Sequence, residues 1–203
     1  MFPAIKPATR ALILVNVLLF LLEQVAMRPM LLHFALWPLA TPEALFRPWQ
    51  LITYAFLHAG LLHIAFNMFT LYVFGAVLES YWGARRFLIY YLVCVLAAGA
   101  TQLAVEYAAR TGEPTLGASG GIFGVLLAFA MLFPRARLML LIAPIPLPAW
   151  LVVMVYGLLE LFFGVTGRQA SVAHFAHLGG MLGGAIMMLY WRTRADRGGW
   201  RPT

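Results

Sequence analysis

Six apolar segments, near residues 11–27, 60–79, 86–106, 119–133, 148–165 and 173–192, leave little of this chain outside them. A helix needs about 20 consecutive apolar residues to cross the ~30 Å hydrocarbon core of a bilayer. Backbone inside lipid must satisfy its own hydrogen bonds, and a helix does so within one segment. The pattern predicts an all-α polytopic membrane protein of six transmembrane helices. It folds as a single domain over 1–203, with short cytoplasmic tails at about 1–10 and 193–203. Composition agrees: 10% of the residues are charged, against about 25% in a soluble domain.

The formal net charge of +7 does not mark a nucleic-acid binder, because Lys and Arg lie between apolar stretches and at the ends, not in one stripe. Membrane lipid is the expected surrounding partner. The lone Cys94 excludes an intrachain disulfide and reads as a packing residue. Two cations in MFPAIKPATR precede the first apolar run, but no A-x-A-like site follows it, so the run reads as a retained span. With six spans, one side collects Lys6, Arg10, Arg85, Arg86, Arg135, Arg137, Arg192, Arg194, Arg197 and Arg201. The other side holds Arg28, Arg47, Arg110 and Arg168. That bias places both termini in the cytoplasm. A compact core with short ends suits a prokaryotic plasma (inner) membrane.

The first external loop, 28–59, is long and apolar, and its Trp37, Trp49 and Tyr54 suit a partly embedded interfacial hairpin. Pro144, Pro146 and Pro148 are too many for a continuous helix over 138–150, which reads as an extended or re-entrant approach to span 5.

Three spans carry polar groups that point to chemistry. GASGGIFG, 117–124, puts Ser119 at a helix N-terminus, where unpaired N–H groups and the helix dipole favour developing negative charge. A serine among glycines is also a common cap or packing residue at membrane helix contacts. AHFAHLGGMLGG, 173–184, places His174 and His177 inside an apolar span, where ionisable groups are functional candidates by default. Gly180 and Gly184 form a small stripe on the His177 face, with Gly179 and Gly183 beside it. A second helix can therefore approach closely enough to bring a serine to the imidazole. A histidine satisfied by a neighbouring carbonyl fits the same residues. In HIAFN, His63 and Asn67 share a helix face. Two neutral donors there suit an oxyanion beside the Ser119 N–H, or an ordinary interhelical hydrogen bond.

Depth links the three. Span 4 covers only ~22 Å at 1.5 Å per residue, so Ser119 sits several Å below the external surface. His177 and His63 each lie about a turn into their spans from the same side. Among the acids, Asp196 is in the cytoplasmic tail, Glu79 ends span 2 and Glu160 is within span 5, while Glu23, Glu43, Glu106 and Glu113 lie towards the outside. None is evidently placed to orient His177, which favours a Ser–His dyad over a triad. His58, His63, His174 and His177 could gather around a metal. There is no HExxH and no carboxylate evidently paired with them, so no metal site and no cofactor is expected.

With these residues in place, the chain resembles the rhomboid intramembrane serine proteases over nearly its whole length. The family's GxSG-type element maps onto Gly117–Ala118–Ser119–Gly120, its sixth-span histidine onto His177, and its second-span HxxxN onto His63 and Asn67. The resemblance implies Ser119 as nucleophile, His177 as base, and His63, Asn67 and the Ser119 and Ala118 N–H groups around the oxyanion. It further implies Phe123 stacked on the histidine, Glu79 as a structural glutamate, and single-pass transmembrane proteins as substrates. Gln50 departs from the pattern, because the family commonly has Trp-Arg where this chain has Trp49–Gln50; Arg47 is a candidate to compensate. Span 5 and the loop around 166–172 are candidate gates. The rivals are a non-catalytic rhomboid-like protein that binds membrane helices, and a small-solute channel, which needs polar groups along both leaflets.

Overall fold

A computed structural model describes residues 4–39, 45–110, 113–139, 145–168 and 172–198. A helix covers each of the six apolar segments: α1 (Pro7–Phe34), α3 (Leu61–Thr70) continued by α4 (Ala76–Trp82), α5 (Ala84–Ala109), α6 (Ser119–Leu132), α7 (Ala149–Thr166) and α8 (His174–Gly198). Short α2 (Gln50–Thr53) lies between the first two. A π turn at Leu71–Gly75 joins α3 to α4, and Leu61–Trp82 runs on as one apolar helix. Among the described residues, four helices are long and apolar enough to cross a membrane: Pro7–Phe34, Leu61–Trp82, Ala84–Ala109 and Ala149–Thr166. α6 is apolar but shorter. α8 runs on to Gly198, into the stretch 193–203 expected as a tail.

Small residues decide which helix sits in the middle. α6 buries Gly120, Gly121, Ile122, Gly124, Val125, Ala128, Phe129 and Ala130, more than half of its 14 residues. It packs on α5, α7 and α8. A short helix is tolerable there because neighbours, not lipid, surround it. The outer helices do the reverse. Val25, Leu62, Val165 and Leu182 stay exposed, and apolar surface on that scale needs a lipid or protein partner.

α1 bends where Ala26 leaves helical geometry, at φ −133 and ψ 32, three residues before Pro29. A proline inside a helix removes one backbone hydrogen bond and kinks it. Buried Glu23, one turn before the bend, accepts from the His58 N–H at 3.1–3.2 Å. Burial, with the His63 ring close by, pushes the His58 imidazole down to about 4, so His58 is neutral at pH 7.

Glu79 ties α4 to the start of α1. Its carboxylate accepts from the Ala8 N–H at 2.9 Å, the Thr9 N–H at 2.7 Å and the Thr9 hydroxyl at 2.8 Å. The two N–H groups are orphans of the first helical turn, and the negative charge faces the positive end of the helix dipole. Glu79→Ala leaves three buried donors unpaired and is expected to destabilise the protein by about 3 kcal/mol. Unfolding in detergent micelles measures this; a loss below about 0.5 kcal/mol, the range of an ordinary surface change, would contradict it.

Gln50 ties together the segment between α1 and α3. The Gln50 amide oxygen accepts from the Trp37 and Arg47 N–H groups at 3.3 and 3.1 Å, while its nitrogen donates to the Leu45 and His33 carbonyls at 3.2 and 3.4 Å. A neutral amide offers donors and an acceptor; here it serves both at a buried position. Residues 40–44 of the expected hairpin lie outside the described residues. The proline-rich approach to α7 is a small antiparallel sheet, β1 (Arg137–Met139) against β2 (Pro146–Pro148). It adds a strand pair to an otherwise helical chain. Prolines are tolerated there because each strand is an edge.

Candidate active site

The site forms where the N-terminal ends of α3, α6 and α8 meet. Gly117 makes it possible. It has φ +125, and a β-carbon on it would lie 2.8–2.9 Å from two atoms of the His63 ring. Only glycine combines that backbone region with that approach. The Gly117 N–H donates to the Tyr54 carbonyl at 2.9 Å, and Leu36 pairs with Thr115 through two 2.9 Å backbone bonds. These contacts fix the loop that delivers Ser119 as the first residue of α6.

α6 and α8 then touch backbone to backbone. A β-carbon on Gly180 would overlap the Gly120 carbonyl oxygen, and one on Gly124 would lie 2.9 Å from the Gly180 carbonyl. The other small stripe, Gly179 and Gly183, faces Thr101 and Ala97 of α5. Gly184, which shares the Gly180 stripe, faces Tyr90 and Cys94 of α5 as well, so Gly180 alone of the four makes the contact with α6. At this contact Ser119 Oγ lies 2.7 Å from His177 Nε2. The Phe123 ring stacks on the His177 imidazole with centroids 4.3 Å apart and 8° between planes. The stack limits the ring's rotation and keeps Nε2 towards the serine.

A cavity of about 1040 Å³ opens over this pair, and Ser119, His177, His63, Asn67, Phe123 and Gln102 are among its lining. Asn67 is partly engaged, as its amide donates to the His63 carbonyl at 2.9 Å. The second N–H of that amide is a further donor. Ala118 is buried immediately before the helix. Gln102 accepts the Ala176 N–H at 3.1 Å and donates to Glu106 at 2.9 Å, and Thr115 donates to the same carboxylate oxygen at 3.2 Å. This chain of bonds links α5, the serine loop and the start of α8.

Sequence reasoning missed Glu160. The expectation that no carboxylate pairs with the histidines is corrected by its position. Glu160 Oε2 lies 2.6 Å from His174 Nδ1 and 3.0 Å from His177 Nδ1. The first contact is a hydrogen bond; the second is short but lies off the hydrogen-bonding direction of the ring nitrogen. A lone carboxylate in an apolar span, facing a span with two histidines, was the available signal. Among the described residues these three form one group of possible metal ligands.

Comparison with known proteins places this geometry in a family. Residues 46–194 match the Rhomboid domain. Rhomboid protein 1, mitochondrial, of Saccharomyces cerevisiae is 35% identical over 143 residues, which is 70% of this chain and 41% of that protein. The rhomboid protease GluP of Bacillus subtilis is 33% identical over 67% of this chain and 24% of its own length. For the rhomboid protease GlpG of Serratia proteamaculans the figures are 27%, 93% and 63%. This chain therefore spans less than two thirds of each relative's length. The matched region contains Ser119, His177, His63, Asn67 and Glu160, and the chain is an integral membrane protein of the rhomboid family.

Proposed function

We propose that this protein is an intramembrane serine endopeptidase that cleaves transmembrane proteins within or near their membrane helix. The observation that carries the proposal is the 2.7 Å contact between Ser119 Oγ and His177 Nε2. It lies beneath a cavity large enough for an unwound peptide segment. The relatives named as proteases support the same chemistry.

In this mechanism the neutral His177 accepts the Ser119 hydroxyl proton at Nε2 while Oγ attacks the scissile carbonyl. The tetrahedral oxyanion is held by the N–H groups of Ser119 and Ala118, by His63 and by the second N–H of Asn67. Collapse breaks the C–N bond as the imidazolium returns its proton to the leaving amine. Water, activated by the same imidazole, then hydrolyses the acyl-enzyme. No cofactor enters these steps. Gly117 and Gly120 shape the loop and helix contact, and Phe123 steadies the base. The substrate helix must unwind locally, because its hydrogen bonds otherwise protect the scissile bond. Single-pass substrates with small residues at the cut meet these needs best.

The helices over all six apolar segments, short α6 included, cross the bilayer in this proposal, with both termini cytoplasmic and the site in the outer leaflet of a prokaryotic plasma membrane. The test is reconstitution in liposomes with tagged single-pass membrane proteins. Wild type is expected to release fragments and Ser119→Ala none. Persistent cleavage by Ser119→Ala removes the nucleophile. Capture of every substrate by the folded wild type without cleavage assigns a non-catalytic helix binder instead.

A further inference from the structure

We propose that Glu160 is a positioning residue of the reaction, holding the His177 imidazole so that Nε2 faces Ser119, with His174 as the second partner that fixes the carboxylate. The inference rests on Ser119 and His177 being the reacting pair, and it turns the dyad into a serine–histidine–glutamate arrangement.

Glu160 is the only charged residue of α7, and a carboxylate in an apolar span is costly unless it is paired. Its surroundings are specific. Oε2 reaches both imidazoles, at 2.6 Å for His174 and 3.0 Å for His177, and both contacts are to Nδ1. Both histidines are buried. When Nε2 of His177 accepts the serine proton, the proton of the neutral ring must reside on Nδ1. That N–H then points to the side from which Glu160 approaches. The off-line angle of the 3.0 Å contact is usual for resting sites, whose catalytic hydrogen bonds tighten once substrate is bound. Once Ser119 has given up its proton, the imidazolium has a carboxylate beside it, the part an aspartate plays in a serine protease triad.

A bound metal fits less well. Around tetrahedral zinc, with ligands at about 2.0–2.1 Å, neighbouring ligand atoms are ~3.3 Å apart. The 2.6 Å and 3.0 Å separations are shorter, and the 2.6 Å one is a hydrogen bond. A purely structural role, pinning α7 to α8, is the main competitor. α7 has few other anchors, with Ala149, Val152 and Val153 its buried residues, all near its start. The two roles differ in what they do to the ring's proton and to turnover.

The experiment compares wild type, Glu160→Gln and Ser119→Ala in cleavage kinetics and in the ¹⁵N spectrum of histidine-labelled protein in micelles. Glutamine keeps the shape and removes the charge. The expected result is about a 10²-fold fall in kcat with KM within about threefold, since general-base catalysis is worth roughly 10²–10⁴. Neutral His177 is expected as the Nδ1–H tautomer in wild type, and as a mixture in Glu160→Gln. An unchanged kcat, or a change confined to KM, overturns the proposal. So does an Nε2–H tautomer in wild type, a result that stands even if Glu160→Gln does not fold. If wild type neither cuts nor reacts at Ser119, the protease proposal fails by itself, and the wild-type tautomer still decides the Glu160 contact.

Discussion

Alanine at Ser119 or at His177 is expected to reduce cleavage by roughly 10⁴–10⁶-fold, and the double variant should be no worse than the poorer single one. The two side chains act as one unit through a single contact at 2.7 Å. Without His177 the hydroxyl has no acceptor for its proton; without Ser119 the imidazole has nothing to activate. Independent contributions would multiply, whereas members of one catalytic unit do not. The folds of the variants should survive. Ser119→Ala removes one oxygen at a cavity-lining position, and His177→Ala leaves the glycine contact between α6 and α8 in place. Cleavage rates in detergent with thermal unfolding as control measure both. A double variant clearly slower than either single would show that the two residues act separately.

Gly180→Ala is expected to lower kcat by about 10²-fold, because a displacement of ~1 Å at reacting groups costs that much. The added methyl group meets the Gly120 carbonyl oxygen, which is backbone and has no rotamer to change. The helices must part, and Ser119 and His177 sit on opposite sides of that seam, one residue before Gly120 and three before Gly180. Gly167→Ala, where a β-carbon would meet nothing within 4 Å though φ is +66, serves as the contrast. It strains a turn outside the seam and is expected to leave kcat within about threefold. Equal kcat for Gly180→Ala and wild type would remove the seam as the device that sets the Ser–His distance.

The helices were legible because apolar runs of spanning length have few alternatives, and the glycine stripes because small residues at helical spacing mark close contacts. The Ser119–His177 contact follows from both. The stacking of Phe123 was legible through the family resemblance rather than through spacing. Glu160 was not linked to His177, because the two lie on consecutive helices whose relative rotation is set by tertiary packing. Gly157 lies against Met181 and Gly164 against Phe175 in that packing. Gln50 looked like a lost anchor only while a cation was assumed necessary, yet a buried amide can satisfy donors and acceptors together. Asn67 is expected to face the oxyanion; one of its N–H groups satisfies a carbonyl of its own helix, which leaves the other for that role. Competition of that kind between a side chain and nearby backbone is local geometry that residue spacing does not reveal.

The most direct measurement is the site of fluorophosphonate modification, located by mass spectrometry on the purified, folded protein. A single adduct on Ser119 is expected for wild type, with none at that position in Ser119→Ala. Modification of His177→Ala should be slower by roughly 10²-fold or more, the general-base share of the reaction. Absence of an adduct on folded wild type, or labelling undiminished in Ser119→Ala, would contradict Ser119 as the nucleophile.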